Sequence, residues 1–451
     1  MKSLIESLSG TRGIIGENLH PKIGLNMATA FGTLVGKGPV IVGGDTRVSY
    51  EMLKNTVISG LISVGTDVID IGKVPTPTVQ QMIIHHKAAG GMVITASHNP
   101  VMWNGIKLMN KTGSFLDDTE YEKYLKIYHA DAIKLADWPD LGSISRDDKA
   151  LEKHIDKIIS ILDIAPIKNS GLKVLIDPNN GAGCIPNEML LKKLNIDYTI
   201  INKEPHGRFT HNPEPVKANL NQIMAELSSG KYDIGFVQDA DADRLVILDE
   251  KGTFIGEDYS LAFCMDYILS KDQSTNKKIV VNLSTSMIAD WLAKKYNAEI
   301  FYTIIGESNV TQEIKRQNAL VGGEGNGGVI YPKVGWGRDS LVGIVIALKH
   351  LAEKKQSVSE IIATYPKYIL LRDKIQISAR EDADKYLAAI EDKHKNCKIN
   401  KEDGIKIIFE ESWAHIRPSN TEPIMRMFVE AGDEVKAKLL LSEIKHIIAS
   451  V

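Results

Sequence analysis

Short, uninterrupted apolar runs that end abruptly in polar turns recur along the first three quarters of the chain. Val40-Ile41-Val42-Gly43-Gly44-Asp45, Val174-Leu175-Ile176-Asp177 and Ile279-Val280-Val281-Asn282 are such runs. A run without polar alternation reads as a strand buried on both faces, the pattern of sheets covered by helices. Each is followed by a helical stretch, another apolar run and a polar loop, at residues 95–100, 239–244 and 322–328. Three α/β units in series are expected, each presenting one loop at a strand end, where ligands sit in open α/β sheets. From about Lys367 the pattern becomes strand, helix, strand, loop, strand, helix, which predicts a smaller α+β domain. Its last helix, over residues 433–450, is expected to lay Leu439, Leu440, Ile444, Ile447 and Ile448 against a sheet. The domain boundaries so read are 1–150, 151–252, 253–366 and 367–451.

Composition narrows the choice of partner. A chain of 451 residues exceeds what one core usually holds, in keeping with several domains. A formal net charge of -3 and the lack of a dense Lys/Arg tract give no field for nucleic acid, so small molecules are the expected partners. Residues 1–16 have no apolar signal core, and the longest apolar run, residues 341–348, is far short of a membrane span. Cys184, Cys264 and Cys397 are isolated and odd in number, which argues for neither disulfides nor zinc. A cytoplasmic location without membrane contact is expected.

Candidate chemistry lies in the loops. Thr95-Ala96-Ser97-His98-Asn99-Pro100 places a hydroxyl at the end of the apolar run Met92-Val93-Ile94. The Asn-Pro step disfavours helix at Asn99 and favours a rigid bend. Such a serine can point into a cleft, although turn serines commonly bond only nearby backbone. Asp239-Ala240-Asp241-Ala242-Asp243-Arg244 sets three carboxylates at alternate positions, which in a loop can converge on a hard cation such as Mg²⁺ or Mn²⁺. Glu250 stands twelfth from Asp239, but an EF-hand is excluded: the sixth position, which needs Gly, is Arg244, and both flanks read as strands.

Gly322-Gly323-Glu324-Gly325-Asn326-Gly327-Gly328 reads as a flexible loop carrying a carboxylate and an amide, groups that bind neighbouring sugar hydroxyls. It is neither a Walker loop nor a dinucleotide fingerprint. Arg417-Pro418-Ser419-Asn420-Thr421-Glu422-Pro423, with Arg426 shortly after, gathers a guanidinium, two hydroxyls and an amide, a fitting cradle for a dianion. Ser9-Gly10-Thr11-Arg12-Gly13 offers Thr11 and Arg12 as a further donor pair.

These motifs, in this order and along the whole chain, resemble those of the α-D-phosphohexomutases. The resemblance implies four domains around a central cleft, three similar α/β units with mixed sheets and a fourth, smaller, α+β domain. It implies that Ser97 is the phosphoserine and that Asp239, Asp241 and Asp243 hold one Mg²⁺ with a phosphoserine oxygen. Glu324 and Asn326 would read sugar hydroxyls. Arg417, Ser419, Asn420 and Thr421, with Arg426 nearby, would grip the non-reacting phosphate. Arg12, His98, Lys107 and Arg244 would surround the transferring phosphoryl group, with Lys107 the candidate acid or base and His98 either its understudy or a support for Ser97. Hexose 1,6-bisphosphate would be intermediate and activator, and the chain would act as a monomer or homodimer.

One motif departs from the family pattern. Many members read Gly-Glu-x-Ser-Gly-His where this chain has Gly323-Glu324-Gly325-Asn326-Gly327-Gly328, so Asn replaces Ser and Gly328 replaces His. Together with Gly337-Arg338-Asp339, that stretch is most similar to phosphoglucosamine mutases and to archaeal phosphomannomutase/phosphoglucomutases. The expected reaction is glucosamine 6-phosphate to glucosamine 1-phosphate, with mannose or glucose phosphates as the alternative. A metal-dependent sugar phosphatase could use the same serine and acids, but would not need the Arg417 cradle. A serine hydrolase is disfavoured, because Ser97 lacks the G-x-S-x-G elbow and no acid–His pair is evident.

Overall fold

Val40 and Val42 enter one apolar core while Ile41, between them, enters another. Met92 and Ile94 join the first core, and Val93 the second. Side chains alternate faces along a strand, so an unbroken apolar run needs cover on both sides. Helices Pro21–Val35 and Tyr50–Ser63 cover one face, through Phe31, Leu53 and Leu61. Helices Thr76–His85 and Ala150–Ile161 cover the other, through Val79, Ile83 and Ala150.

The computed structural model describes residues 4–130, 133–377, 380–419 and 424–451. They fall into two compact units, one running up to Lys271 and including Asn326–Ile362, the other formed by Asp272–Gly325 and Ala363–Val451. The first unit contains a seven-stranded mixed sheet ordered Ile5–Ser7, Gly10–Ile14, Trp103–Asn110, Gly90–Ile94, Val40–Gly44, Val68–Lys73, Ile144–Arg146. Its second sheet is ordered Leu245–Leu248, Ile234–Gln238, Lys173–Asp177, Asp197–Ile200, antiparallel at the first pair and parallel thereafter. Helix Ser340–Lys354 also belongs to this unit, and Asp339 caps it by accepting from the amides of Leu341 and Val342.

In the second unit Ala298–Thr303, Lys277–Asn282 and Val321–Glu324 lie side by side in parallel. Its other sheet is wholly antiparallel, ordered Ile369–Gln376, Ile424–Ala431, Ser412–Pro418, Ile405–Ile408, Lys398–Asn400. The architecture is thus α/β with mixed sheets and a smaller C-terminal α+β part.

Three expectations change. The C-terminal part has four successive strands between its helices Arg380–Lys393 and Glu434–Ala449, more than the pattern suggested, because Lys398–Asn400 is too short to show a period. Leu440, Ile444, Ile447 and Ile448 do pack into the core, but Leu439 is 66% exposed, since it lies off the buried stripe. The glycine stretch is largely strand: Val321–Glu324 and Gly328–Ile330 leave only residues 325–327 as the turn. Gly322 is needed inside its strand because a Cβ there would lie 2.6 Å from both the Val280 carbonyl and Ile314 Cδ1. Among the described residues no helix is long and apolar enough to cross a membrane.

Candidate active site

The serine turn is held from beneath by a buried cation. Ser97 follows strand Gly90–Ile94 and adopts φ 48°, a left-handed conformation that is uncommon for a residue other than glycine. Strain of that kind persists only where the surroundings over-determine it. Arg47, 1% exposed, does so. Its Nη2 donates to the carbonyls of Ser97 and Asn99, each at 2.7 Å, and its Nη1 to those of Pro100 and Trp103, each at 2.8 Å. Asp45 completes the support, taking Arg47 Nε at 3.1 Å and the Thr95 hydroxyl at 2.6 Å, while Thr95 Oγ1 accepts the Ser97 amide at 2.8 Å. Neither Arg47 nor Asp45 was singled out from sequence. Their signal is the polar Asp45-Thr46-Arg47 step that ends strand Val40–Gly44.

Across from the serine turn lies the acidic loop, between strands Ile234–Gln238 and Leu245–Leu248, with Ala242 at φ 54°. Ligand atoms of Asp239, Asp241 and Asp243 all lie within 4.8 Å of one another, and all three residues are buried. Ser97 Oγ donates to Asp239 Oδ2 at 2.9 Å and lies 3.4 Å from His98 Nδ1. Lys107, from strand Trp103–Asn110, places Nζ 2.7 Å from Asp241 Oδ2 and 3.5 Å from Asp243 Oδ2. Thr76, at the start of its helix, donates to the same Asp241 oxygen at 2.6 Å. Arg12 donates to Asn99 Oδ1 at 2.9 Å, and Arg244 Nε lies 4.0 Å from Asp239 and from Asp243.

The charges divide unequally. Burial, with the charges of Asp243 and Asp241, pushes the Asp239 carboxyl well above the usual carboxylate range. Burial also works against ionised Asp241, but Lys107 and the Thr76 hydroxyl outweigh it and hold Asp241 below that range. Burial and the cations Arg244, Arg12 and Arg338 hold His98 well below its ordinary value. Burial likewise lowers Arg12.

This arrangement fits a hard divalent cation. Asp241 Oδ1 and Asp243 Oδ1 are buried oxygens with no hydrogen-bond partner among the described residues, and an all-oxygen donor set suits such an ion. Sequence reasoning also passed over Arg338, whose Nη2 is 2.7 Å from Asp243 Oδ2, and Thr76. At Gly328, where the resembled motif has histidine, a Cβ would lie 2.1 Å from Arg338 Cδ, so a side chain there would require the Arg338 stem to move.

The remaining candidates are placed differently. Glu324 and Asn326 fall in different units. In the second unit Glu324 Oε1 accepts from Asn282 Nδ2 at 3.0 Å and from the Gly306 amide at 3.1 Å, which fixes its carboxylate. In the first, Asn326 Oδ1 accepts from the Gly328 amide at 3.3 Å. Arg417 pairs through Nε with Asp403 at 2.8 Å, and it stands opposite Arg426, itself opposite Lys374. Three cations in register across three strands repel one another and favour an anion on that face. The Ser419 amide donates to the Ile424 carbonyl at 2.8 Å. Asn420 and Thr421 lie outside the described residues.

Comparison with known proteins finds four family models along the chain. Family models for phosphoglucomutase/phosphomannomutase match α/β/α domain I over residues 5–133, domain II over 152–252, domain III over 256–368 and the C-terminal domain over 377–447. A phosphoglucomutase/phosphomannomutase of Thermococcus kodakarensis is 37% identical over 435 residues, 95% of this chain and 95% of its own. A phosphoglucosamine/phosphogalactosamine mutase of Sulfurisphaera tokodaii is 32% identical over 444 residues, 97% of this chain and 98% of its own. The crystal structure of a phosphoglucomutase/phosphomannomutase family protein from Burkholderia thailandensis shares the fold, with a TM-score of 0.86 at 23% identity, covering 98% of this chain and 96% of that one. The chain belongs to the phosphoglucomutase/phosphomannomutase family of mutases, which are isomerases.

Proposed function

We propose that the protein interconverts the 6- and 1-phosphates of a hexose, with glucosamine phosphate as its substrate and Ser97 as the phosphoryl carrier. The observation that supports this most is the Ser97 hydroxyl on Asp239 at 2.9 Å, inside a buried acidic triad bordered by Arg12, Lys107, Arg244 and Arg338. Phosphoryl transfer demands positioning and charge neutralisation more than covalent chemistry from the protein, and this set supplies both.

In the proposed cycle phosphorylated Ser97 gives its phosphoryl group to the free hydroxyl of a hexose monophosphate. The Oγ–P bond breaks as the sugar O–P bond forms, and the hydroxyl proton leaves the sugar. The resulting 1,6-bisphosphate then returns its other phosphoryl group to Ser97, so phosphate is conserved and the sugar emerges as the other isomer. Lys107 is the proposed proton carrier: its neutral amine takes the sugar's hydroxyl proton in the first transfer and, as an ammonium beside Asp241 and Asp243, returns a proton to the sugar oxygen freed when Ser97 Oγ takes back a phosphoryl group in the second. Mg²⁺ bound by Asp239, Asp241 and Asp243 would neutralise charge on the transferring group. Arg417 and Ser419 are proposed to grip the non-reacting phosphate, with Arg426 adding charge, and Glu324 and Asn326 to contact the sugar. The fixed carboxylate of Glu324 suits a substrate carrying an ammonium group, and the name of the Sulfurisphaera tokodaii relative supports the amino sugar. The Thermococcus kodakarensis relative supports glucose or mannose phosphate as the second reading.

³¹P NMR of the protein with Mg²⁺, a trace of hexose 1,6-bisphosphate and the 1-phosphates of glucosamine, glucose or mannose tests the reading. Conversion to 6-phosphates, fastest for glucosamine, is expected. Stoichiometric release of inorganic phosphate without isomer would instead mark a phosphatase.

A further inference from the structure

Arg338 reaches the acidic centre from outside the four motif loops. Its Nη2 donates to Asp243 Oδ2 at 2.7 Å, the oxygen that also faces Lys107 at 3.5 Å. The other oxygen, Oδ1, is buried and has no hydrogen-bond partner among the described residues. A carboxylate with one oxygen pinned has its rotation fixed, and the unbonded Oδ1 has Arg244 Nε 4.0 Å away. Asp241 repeats the arrangement, with Thr76 and Lys107 on Oδ2 and nothing bonded to Oδ1 among the described residues.

The path of the Arg338 side chain is set by its surroundings. A Cβ on Gly328 would overlap Arg338 Cδ and lie 2.8 Å from Cγ, so the bare glycine lets the stem cross the backbone of strand Gly328–Ile330. The next residue is locked: the Asp339 amide donates to the Val329 carbonyl at 3.0 Å, and Asp339 Oδ2 meets His154 Nε2 at 2.9 Å. His154 is in turn 2.9 Å from the Thr78 hydroxyl. On the other side, a Cβ on Gly337 would overlap the Gln80 amide. Thr78 and Gln80 lie on helix Thr76–His85, whose first residue holds Asp241. One helix therefore braces both the segment that carries Arg338 and the acidic loop.

We infer that Arg338 is a positioning residue of the acidic centre, fixing Asp243 so that Oδ1 is its ligand atom for a divalent cation, with Gly328 as the clearance the Arg338 stem requires. The inference rests on the reading of the triad as a metal centre. It places the effect of Arg338 on metal affinity and on kcat rather than on sugar binding, because outer partners of metal ligands act through the ligand they orient.

Isothermal titration calorimetry of Mg²⁺ and Mn²⁺ into the substrate-free protein tests it without turnover. Arg338→Met is expected to raise the dissociation constant about ten- to hundredfold. Arg338→Lys, which keeps the charge but not the fork, should recover part of that loss. Gly328→Ala, which displaces the stem while leaving Arg338 in the chain, should shift affinity in the same direction, and it carries the comparison should Arg338→Met fail to fold. At saturating metal the KM for hexose phosphate should stay within about twofold of wild type while kcat falls. Unchanged or tighter metal binding in the Arg338 variants overturns the inference, as does a wild-type protein that binds neither ion. A wild-type protein that binds metal but isomerises no hexose phosphate counts against the proposed function alone. Normal isomerisation with unchanged metal affinity in Arg338→Met counts against Arg338 alone.

Discussion

Ser97 donates its hydroxyl to Asp239 at 2.9 Å, although 142 positions separate the two along the chain. The bond joins the end of strand Gly90–Ile94 to the loop after strand Ile234–Gln238, two sheets of one compact unit. It places the only hydroxyl of the serine turn that points at the acids within reach of a cation they could hold.

The turn should fail if its internal cation is removed. Arg47→Met leaves Asp45 buried without its cation, with the Thr95 hydroxyl still on it, and takes one donor from each of four carbonyls, of which that of Pro100 keeps the Trp103 amide. The expected loss is about 3–5 kcal/mol of stability, with a matching collapse of turnover. Urea unfolding checks it, and the double variant Asp45→Asn/Arg47→Met should lose less than the two single losses added, since the pair shares one interaction.

Chelation should abolish isomerisation reversibly. Dialysis against EDTA is expected to stop turnover, and added Mg²⁺ to restore it. A cation bound only by the folded triad should also raise stability, by about 2.7 kcal/mol at a hundred times its dissociation constant. Scanning calorimetry with and without Mg²⁺ reads this directly, and identical transitions would argue against an ion in the triad.

Arg417→Met should act on binding more than on chemistry. Losing a charge-assisted contact to the non-reacting phosphate is worth about 1.5–3 kcal/mol, a rise in KM of about tenfold to a hundredfold. Steady-state kinetics decides; a fall in kcat with KM unchanged would move Arg417 out of the phosphate grip.

A pH effect on stability is expected at His211. Burial opposes its imidazolium, but the bond to Asp177 Oδ2 at 3.3 Å and the charge of that carboxylate outweigh burial and hold the pKa above the ordinary value. A raised imidazole stabilises the fold fully below the unfolded value of about 6.5, and the contribution is lost as pH rises through the folded one. His211→Gln should therefore cost stability at pH 6 and little at pH 9, as urea midpoints at the two pH values would show.

Local spacing carried much of this site, and long-range pairing the rest. Asp239, Asp241 and Asp243 stand at alternate positions of one loop, so their convergence was legible from sequence, as was Ser97 at a strand end before Asn-Pro. Arg47 was not, because it supports Ser97 from 50 positions away. Arg338 was visible only as part of Gly337-Arg338-Asp339, since its meeting with Asp243, 95 positions away, depends on the fold. The glycine stretch misled because glycine density suggests a loop, whereas Gly322 serves close strand packing beside Val280 and Ile314. Leu439 misled by sitting next to Leu440, for neighbouring helical positions point about 100° apart.

As proposed, Ser97 carries the phosphoryl group between the two ends of the sugar. Intact-protein and peptide mass spectrometry of wild type and Ser97→Ala, after incubation with glucose 1,6-bisphosphate and Mg²⁺ and then with glucosamine 6-phosphate, reads that transfer most directly. The expected result is one phosphoryl group gained on Ser97, lost again as glucosamine 1-phosphate forms, with neither event in Ser97→Ala. Isomerisation by Ser97→Ala at the wild-type rate, or a phosphoryl group found on another residue, would contradict it.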